Sequence, residues 1–362
     1  VPPALAMAER QGGITGAELI TTVAVANDLI ARLSLAACCG AGPGDGLFAP
    51  SMLYGTFGAA AAAGRVLGLD EAQMVDALSI ALTRTAGSMQ YTQDNGAYHI
   101  NFGFLCQVGV LAALMAKNGI YFTRHVFQGK QGLFNMYKRG DYREEELIAV
   151  LGERFEGSNV SIKPYPSCKH THTTISATLE AKELYGFLEE EIESIVVYGN
   201  QTMMGMSRNP NDVRFDPDNR YEARAGLEKL VATAIVKGNV DMEDMTGQTL
   251  NDHTMFSRIS SLARRVVVKL DPELDKQYTH GAVSPSIVRI QTKGGQELIH
   301  RTDYVKGHPK NAMSLDDCLD KFRSCAPYAQ VALGSKRIEE ITDRFGNLES
   351  LQNTDELVKL LA

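Results

Sequence analysis

Lys163-Pro164-Tyr165-Pro166-Ser167-Cys168-Lys169-His170-Thr171-His172 marks the point where one sequence pattern gives way to another. Prolines 164 and 166 fix their own φ and bias Lys163 and Tyr165 away from the helical region, so the segment reads as stiff and extended. Before it the periodicity is helical. Thr15-Gly16-Ala17-Glu18 has capping-box spacing, and Leu19, Ile20, Val23, Ala26, Leu29, Ile30 and Leu33 recur at three- and four-residue intervals. A glycine-rich stretch from Gly40 to Gly46 separates this helix from a second, rich in Ala59 to Ala63. Asp70 is placed to cap a third, and a fourth runs from about Phe104 to Lys117, where Asn118-Gly119 stops it. Beyond the proline-rich segment, Ile195 to Tyr198, Arg265 to Leu270, Ser286 to Thr292 and Glu297 to Val305 are β-branched or alternating and read as strands. Helical pattern persists among them at Thr173 to Tyr185 and Ala223 to Lys237, and Ser314-Leu315-Asp316-Asp317 starts helix again. The order predicts an α and α+β chain. A large all-helical domain, residues 1–157 and 306–362, is interrupted by an inserted smaller α+β domain, residues 158–305.

With 362 residues, 44% of them hydrophobic and 22% charged, the chain can bury sizeable cores, which excludes disorder and fibres. Its 43 acidic residues against 36 basic give a net charge of -7 and no general attraction to polyanions, so nucleic acid is not expected as a partner. Uninterrupted apolar runs such as Val108 to Ala116 stop well short of the roughly 20 residues of a membrane span, so no membrane is expected either. Six scattered cysteines without a CxxC fit a reducing compartment: the cytoplasm, or the mitochondrial matrix of a eukaryote. The absence of Trp, the 33 glycines and the alanine runs predict helices whose backbones approach closely. Val1-Pro2-Pro3 is neither an initiator Met nor a signal peptide, which suggests that residues once preceded Val1.

Within ten residues the proline-rich segment collects two ammonium groups (Lys163, Lys169), two imidazoles (His170, His172), the Tyr165 phenol and a thiol. That inventory suits binding carboxylates and moving protons. A solvated linker would have the same composition. Cys168, His170 and His172 also spell C-x-H-x-H, but a metal site at that spacing needs a fourth donor that the sequence does not indicate. His99 lies in the polar loop Gln93-Asp94-Asn95-Gly96-Ala97-Tyr98-His99, where a rigid scaffold would present it. Ser51 opens a helix after Phe48-Ala49-Pro50, either capping it or offering a hydroxyl to an anion. Arg224, starting a helix in Arg220-Tyr221-Glu222-Ala223-Arg224, either pairs with Glu222 or Glu228 or holds a substrate carboxylate. Neither a phosphate loop nor a Gly-x-Ser-x-Gly elbow is present.

Five ordered segments together resemble the MmgE/PrpD family, which includes 2-methylcitrate dehydratase and cis-aconitate decarboxylase. They are Phe48-Ala49-Pro50-Ser51 with Gly55-Thr56-Phe57-Gly58-Ala59-Ala60-Ala61-Ala62; Leu111 to Ala116 with Gly119; Lys163 to Cys168 with His172; Tyr221-Glu222-Ala223-Arg224; and Gly307-His308-Pro309-Lys310-Asn311 leading into Leu315. The resemblance implies a lyase needing neither metal nor cofactor, with a helical domain, an α+β lid and a homodimeric assembly. Its implied substrate is a small di- or tricarboxylate that loses water or carbon dioxide beside a carboxylate, with a 2-methylcitrate dehydratase-like reaction first in line. A decarboxylase or an epimerase of a related diacid is the alternative. Lys163 matches the family's substrate-contacting lysine, His172 its motif histidine and Ser51 its helix-starting hydroxyl. The catalytic set expected from this is His99, Lys163 and His172, with Ser51, Tyr165, Lys169, His170 and Arg224 binding substrate. The sequence departs from the family where a His-Pro-Thr-like triplet is replaced by Ala49-Pro50-Ser51, where a loop lysine is missing near His99, and before Val1, where relatives carry site residues. Those departures motivate two other readings: a binding protein that has lost its site, or one subunit of a split enzyme.

Overall fold

Alanine and glycine decide how the first helices meet. In the computed structural model, which describes residues 1–37, 47–92, 100–207, 226–246, 252–278 and 285–361, helices α1 (Pro2–Gln11), α2 (Gly16–Ala37), α3 (Pro50–Val66), α4 (Glu71–Leu82) and α5 (Ile100–Lys117) form the body of one unit. A Cβ on Gly109 of α5 would lie 2.4 Å from the Ala59 Cβ and 2.6 Å from the Ala60 backbone nitrogen of α3, so these two helices touch almost backbone to backbone. Met7, Leu33, Phe57, Ala60, Ala112, Ala113 and Phe134 close the core around that contact. Two short helices, α6 (Leu133–Lys138) and α7 (Glu145–Ile148), follow on its surface.

Local signals explain most helix starts. Thr15 and Glu18 exchange capping hydrogen bonds at the head of α2, the Thr15 amide donating to Glu18 Oε2 at 2.8 Å. Asp70 and Gln73 form the same reciprocal box on α4. Ser51 behaves differently from a cap: Ala49 is the N-cap of α3, Pro50 occupies the first turn, and the Ser51 side chain is exposed. α5 begins at Ile100, four residues ahead of the expected start.

Buried charge pins α2 to the chain that follows α7. Arg32, 2% exposed, donates from Nε to Asp28 Oδ2 at 2.7 Å and from its terminal nitrogens to the carbonyls of Ala149 at 2.8 Å and Arg154 at 2.7 Å. The other Asp28 oxygen accepts the Glu156 amide at 2.6 Å. This guanidinium thus satisfies carbonyls that an irregular segment would otherwise bury unpaired. The 22-residue α2 and the 18-residue α5 are also long and apolar enough by composition to cross a membrane. Counting uninterrupted runs misses them, because Asp28 and Arg32 break the run in α2 while its mean hydropathy stays high.

The chain divides into two compact units, residues 1–160 with 329–362, and residues 161–328. The stretch 306–328 therefore packs with the second unit, held by the Ile162 amide donating to the Gly307 carbonyl at 2.8 Å. In that unit α8 (His172–Tyr185), β1 (Ile192–Gly199), α9 (Gln201–Met204), α10 (Leu227–Lys237), α11 (Met242–Thr246), α12 (His253–Ala263), β2 (Val266–Leu270), α13 (Pro272–Gln277), β3 (Ser286–Thr292), β4 (Glu297–Thr302) and α14 (Leu315–Cys325) follow in order. The sheet order is β2-β1-β3-β4, parallel between β1 and β2 and antiparallel elsewhere. Helices α10 and α12 lie in the β1-to-β2 crossover, which a parallel pair requires. Ile195, Val197, Val231, Ile235, Val266, Val288 and Ile290 form its core. α15 (Ser335–Gly346) and α16 (Asp355–Leu361) return to the first unit. The molecule is thus α and α+β in class.

Candidate functional site

The proline-rich segment lies wholly in the second unit and leads directly into α8. Residues 164–167 form a run of bends where the prolines predict extended chain, with the Lys163 ammonium folding back to the Ser167 carbonyl; a single 3-10 turn at Lys169–Thr171 follows, and His172 is the first residue of α8. Thr171 Oγ1 donates to the Cys168 carbonyl at 2.8 Å and also meets Ser167 Oγ at 2.8 Å, so two buried hydroxyls brace the turn. α8 is then fixed to the sheet. Thr174 Oγ1 meets Ser286 Oγ of β3 at 2.9 Å, and Glu180 accepts from Thr302 at 2.5 Å and meets His300 Nε2 at 2.8 Å on β4.

That frame brings five of the expected site residues together. The Lys163 ammonium donates to the Ser167 carbonyl at 2.9 Å, and His172 Nε2 faces the same carbonyl at 3.3 Å. His172 is 2% exposed, and the Tyr165 ring stands edge-on to it, with centroids 5.6 Å apart and planes at 87°. Tyr165 OH lies 3.2 Å from Ser176 Oγ, and burial pushes its phenol pKa up, so it stays protonated and acts as a hydrogen-bonding wedge. The His170 ring meets Tyr278 at 6.0 Å between centroids. Its Nδ1 is buried, and among the described residues it has no hydrogen-bond partner.

Both imidazoles are held neutral. Burial, then the ammonium groups of Lys169 and Lys163, lowers the His170 pKa to about 4. Burial, then Lys163, lowers His172 to about 4 against an opposing hydrogen bond to Ser167, with Lys321 and His170 adding smaller repulsions. The unfolded chain, with histidines near 6.5, binds more protons than the folded one between about pH 6.5 and pH 4. Stability of the second unit should therefore fall as pH drops through that window. Thermal melts of the wild type against His170→Gln and His172→Gln, run from pH 7 to pH 4, check it; equal pH slopes in all three would refute the assignment.

Two expected site residues, His99 and Arg224, lie outside the described residues. Ser51 belongs to the first unit, at the start of α3. Among the described residues no three His, Cys, Asp or Glu side chains group as metal ligands. Sequence reading overlooked Lys321 and Tyr278. Each sits more than 100 positions along the chain from the residue it touches, Lys163 and His170 respectively, and no local pattern marks it.

Comparison with known proteins bears on both units. The MmgE/PrpD N-terminal domain matches residues 1–145 and the MmgE/PrpD C-terminal domain matches residues 165–346. A cis-aconitate decarboxylase of Aspergillus terreus is 25% identical over 317 residues, 85% of this chain and 63% of the relative. Those of Mus musculus and Homo sapiens are 24% and 22% identical, covering 87% of this chain and 62% and 63% of their own lengths. The chain thus spans just under two thirds of the length of the curated relatives it matches. Both domain patterns occur in order, and the second begins at Tyr165, inside the segment that carries the histidines: the chain belongs to the MmgE/PrpD family.

Proposed function

We propose that this chain is a lyase acting on a small di- or tricarboxylate, and that the bond it breaks joins a carboxylate carbon to its neighbour. The observation that carries the reading is the positive field at residues 163–172: Lys163 folds over the Ser167 carbonyl that buried His172 faces, and lysines beside His172 and the half-buried His170 help keep both imidazoles neutral. A polyanion entering such a field gains Coulomb energy in a partly dehydrated setting. The matched relatives, each named a cis-aconitate decarboxylase, support loss of carbon dioxide over loss of water.

The chemistry sets what the residues must do. When carbon dioxide departs, the carbon–carbon bond breaks, its electron pair stays on the substrate, conjugated with a remaining carboxylate, and a proton then quenches it. Lys163 and Lys169 hold the remaining carboxylates and stabilise the developing charge. His170, whose Nδ1 lacks a partner among the described residues, supplies the proton. The bound anion offsets the lysines and raises the His170 pKa, so the ring takes a proton from solvent on substrate binding, gives it to the carbanion and returns to its neutral form. His172, committed to the Ser167 carbonyl, orients the turn. His99 is the other imidazole in line for proton transfer.

Proton NMR of the chain with cis-aconitate, 2-methylcitrate and citrate in deuterated water tests this. The expected outcome is conversion of cis-aconitate to a five-carbon methylidene diacid bearing one deuterium. Alkene formation from 2-methylcitrate with every carbon retained would replace decarboxylase by dehydratase. Deuterium exchange alone would indicate an epimerase, and saturable binding without turnover a binding protein. Neither turnover nor binding overturns the reading.

A further inference from the structure

Helix α14 touches the candidate site directly at Lys163 and the chain just before it through Lys306. Lys321 donates from Nζ to the backbone carbonyl of Lys163 at 2.6 Å. Asp317, four residues earlier and so on the same helix face, pairs with Lys306 at 2.8 Å. Lys306 adjoins Gly307, whose carbonyl accepts the Ile162 amide at 2.8 Å and whose amide donates to the Asn311 carbonyl at 2.7 Å. Gly307 has φ of 92°, and a Cβ there would fall 2.1 Å from the Ile162 carbonyl oxygen, so glycine is required for this approach. Ser314 and Asp317 lock the head of the helix, the Ser314 amide donating to Asp317 Oδ2 at 2.7 Å. Hydrogen bonds from Lys306 and Ser314 hold the Asp317 pKa down at about 2, so the anchor stays charged at neutral pH.

We propose that α14 is the positioning element of the site and that Lys321 is a positioning residue, fixing the backbone of Lys163 so that its ammonium meets the substrate carboxylate. The segment needs such a support. Pro164 and Pro166 have no amide to donate, so residues 163–166 make no strand ladder, and stiffness alone does not fix direction. One face of one helix holds Ile162 through the Asp317–Lys306–Gly307 relay and Lys163 directly. Lys321 acts through the main chain and through its charge near His172, not by touching substrate. The assignment rests on the proposed function for its kinetic consequence, and on the geometry alone for its structural one.

Lys321→Met and Lys321→Arg, with Lys336→Met, an exposed residue of the first unit, as control, separate the two. In Lys321→Met, kcat on the substrate found by the NMR panel should fall about 10- to 100-fold with a smaller change in KM, as expected for a misdirected group. Lys321→Arg, which retains a donor and a charge, should restore most of it, and Lys336→Met should match the wild type. Two readouts need no turnover. The His172 ring should titrate at higher pH in Lys321→Met, because one repelling charge is gone, and the Ile162 amide should exchange with solvent faster. A Lys321→Met protein with unchanged His172 titration and unchanged Ile162 exchange overturns the proposal even if the chain is a lyase. If those two shift in a wild-type background that turns over nothing, the positioning role stands and the lyase reading falls.

Discussion

Lys163→Met is expected to lower kcat/KM for the polycarboxylate substrate by about 10²- to 10³-fold, the range seen when one preorganised electrostatic donor is removed from a developing charge. Lys163 is an exposed residue whose ammonium donates to the Ser167 carbonyl, so its loss should leave the fold in place. Circular dichroism and the melting temperature should stay close to wild type. Lys163→Arg should recover only part of the activity, since the planar guanidinium cannot reproduce a compact charge above the Ser167 carbonyl. The sign of a second consequence also follows. Lys163 lowers the pKa of both His170 and His172, so the methionine variant should titrate both rings at higher pH. Steady-state kinetics and histidine NMR on one preparation measure the two effects together. A fall in kcat/KM under about threefold would remove Lys163 from the chemistry.

Arg32→Met is expected to destabilise the first unit by about 3–5 kcal/mol, the cost of breaking a buried ion pair by deleting one partner. Asp28, 7% exposed, would keep its charge and the Glu156 amide but lose the guanidinium. The carbonyls of Ala149 and Arg154 would lose their donors at the same time. Arg32→Lys should recover little, since one ammonium cannot span Asp28 and two separate carbonyls. Denaturant unfolding gives the magnitude. Hydrogen exchange at residues 147–156 gives the location, and equal protection there in wild type and variant would show that this pair is not what holds the segment.

Much of the architecture was legible because it is local. The capping box at Thr15, the N-cap at Asp70 and the β-branched runs at 195–198 and 286–292 require only neighbours in sequence, and those elements form where the spacing put them. Edges set by tertiary contact were less legible. α5 extends back to Ile100, and Ala49 takes the cap expected of Ser51 because proline occupies the next position and the Ala49 amide donates to the Gly87 carbonyl at 2.8 Å. Within the candidate site the division is the same. Composition singled out Lys163, Tyr165, Lys169, His170 and His172, which are near one another by connectivity. Lys321 and Tyr278 have no such mark, and only folding brings them there.

The proline-rich segment therefore contains two kinds of information. Its sequence alone determined the residue types and the change from helical to mixed pattern, because side-chain chemistry and hydrophobic spacing are properties of the residues themselves, whereas the expected extended backbone gives way to bends over residues 164–167. The tertiary structure decided the protonation states, the orphaned His170 nitrogen and the clamp by α14. Those depend on burial and on charges brought close from 150 residues away, which a linear pattern does not encode.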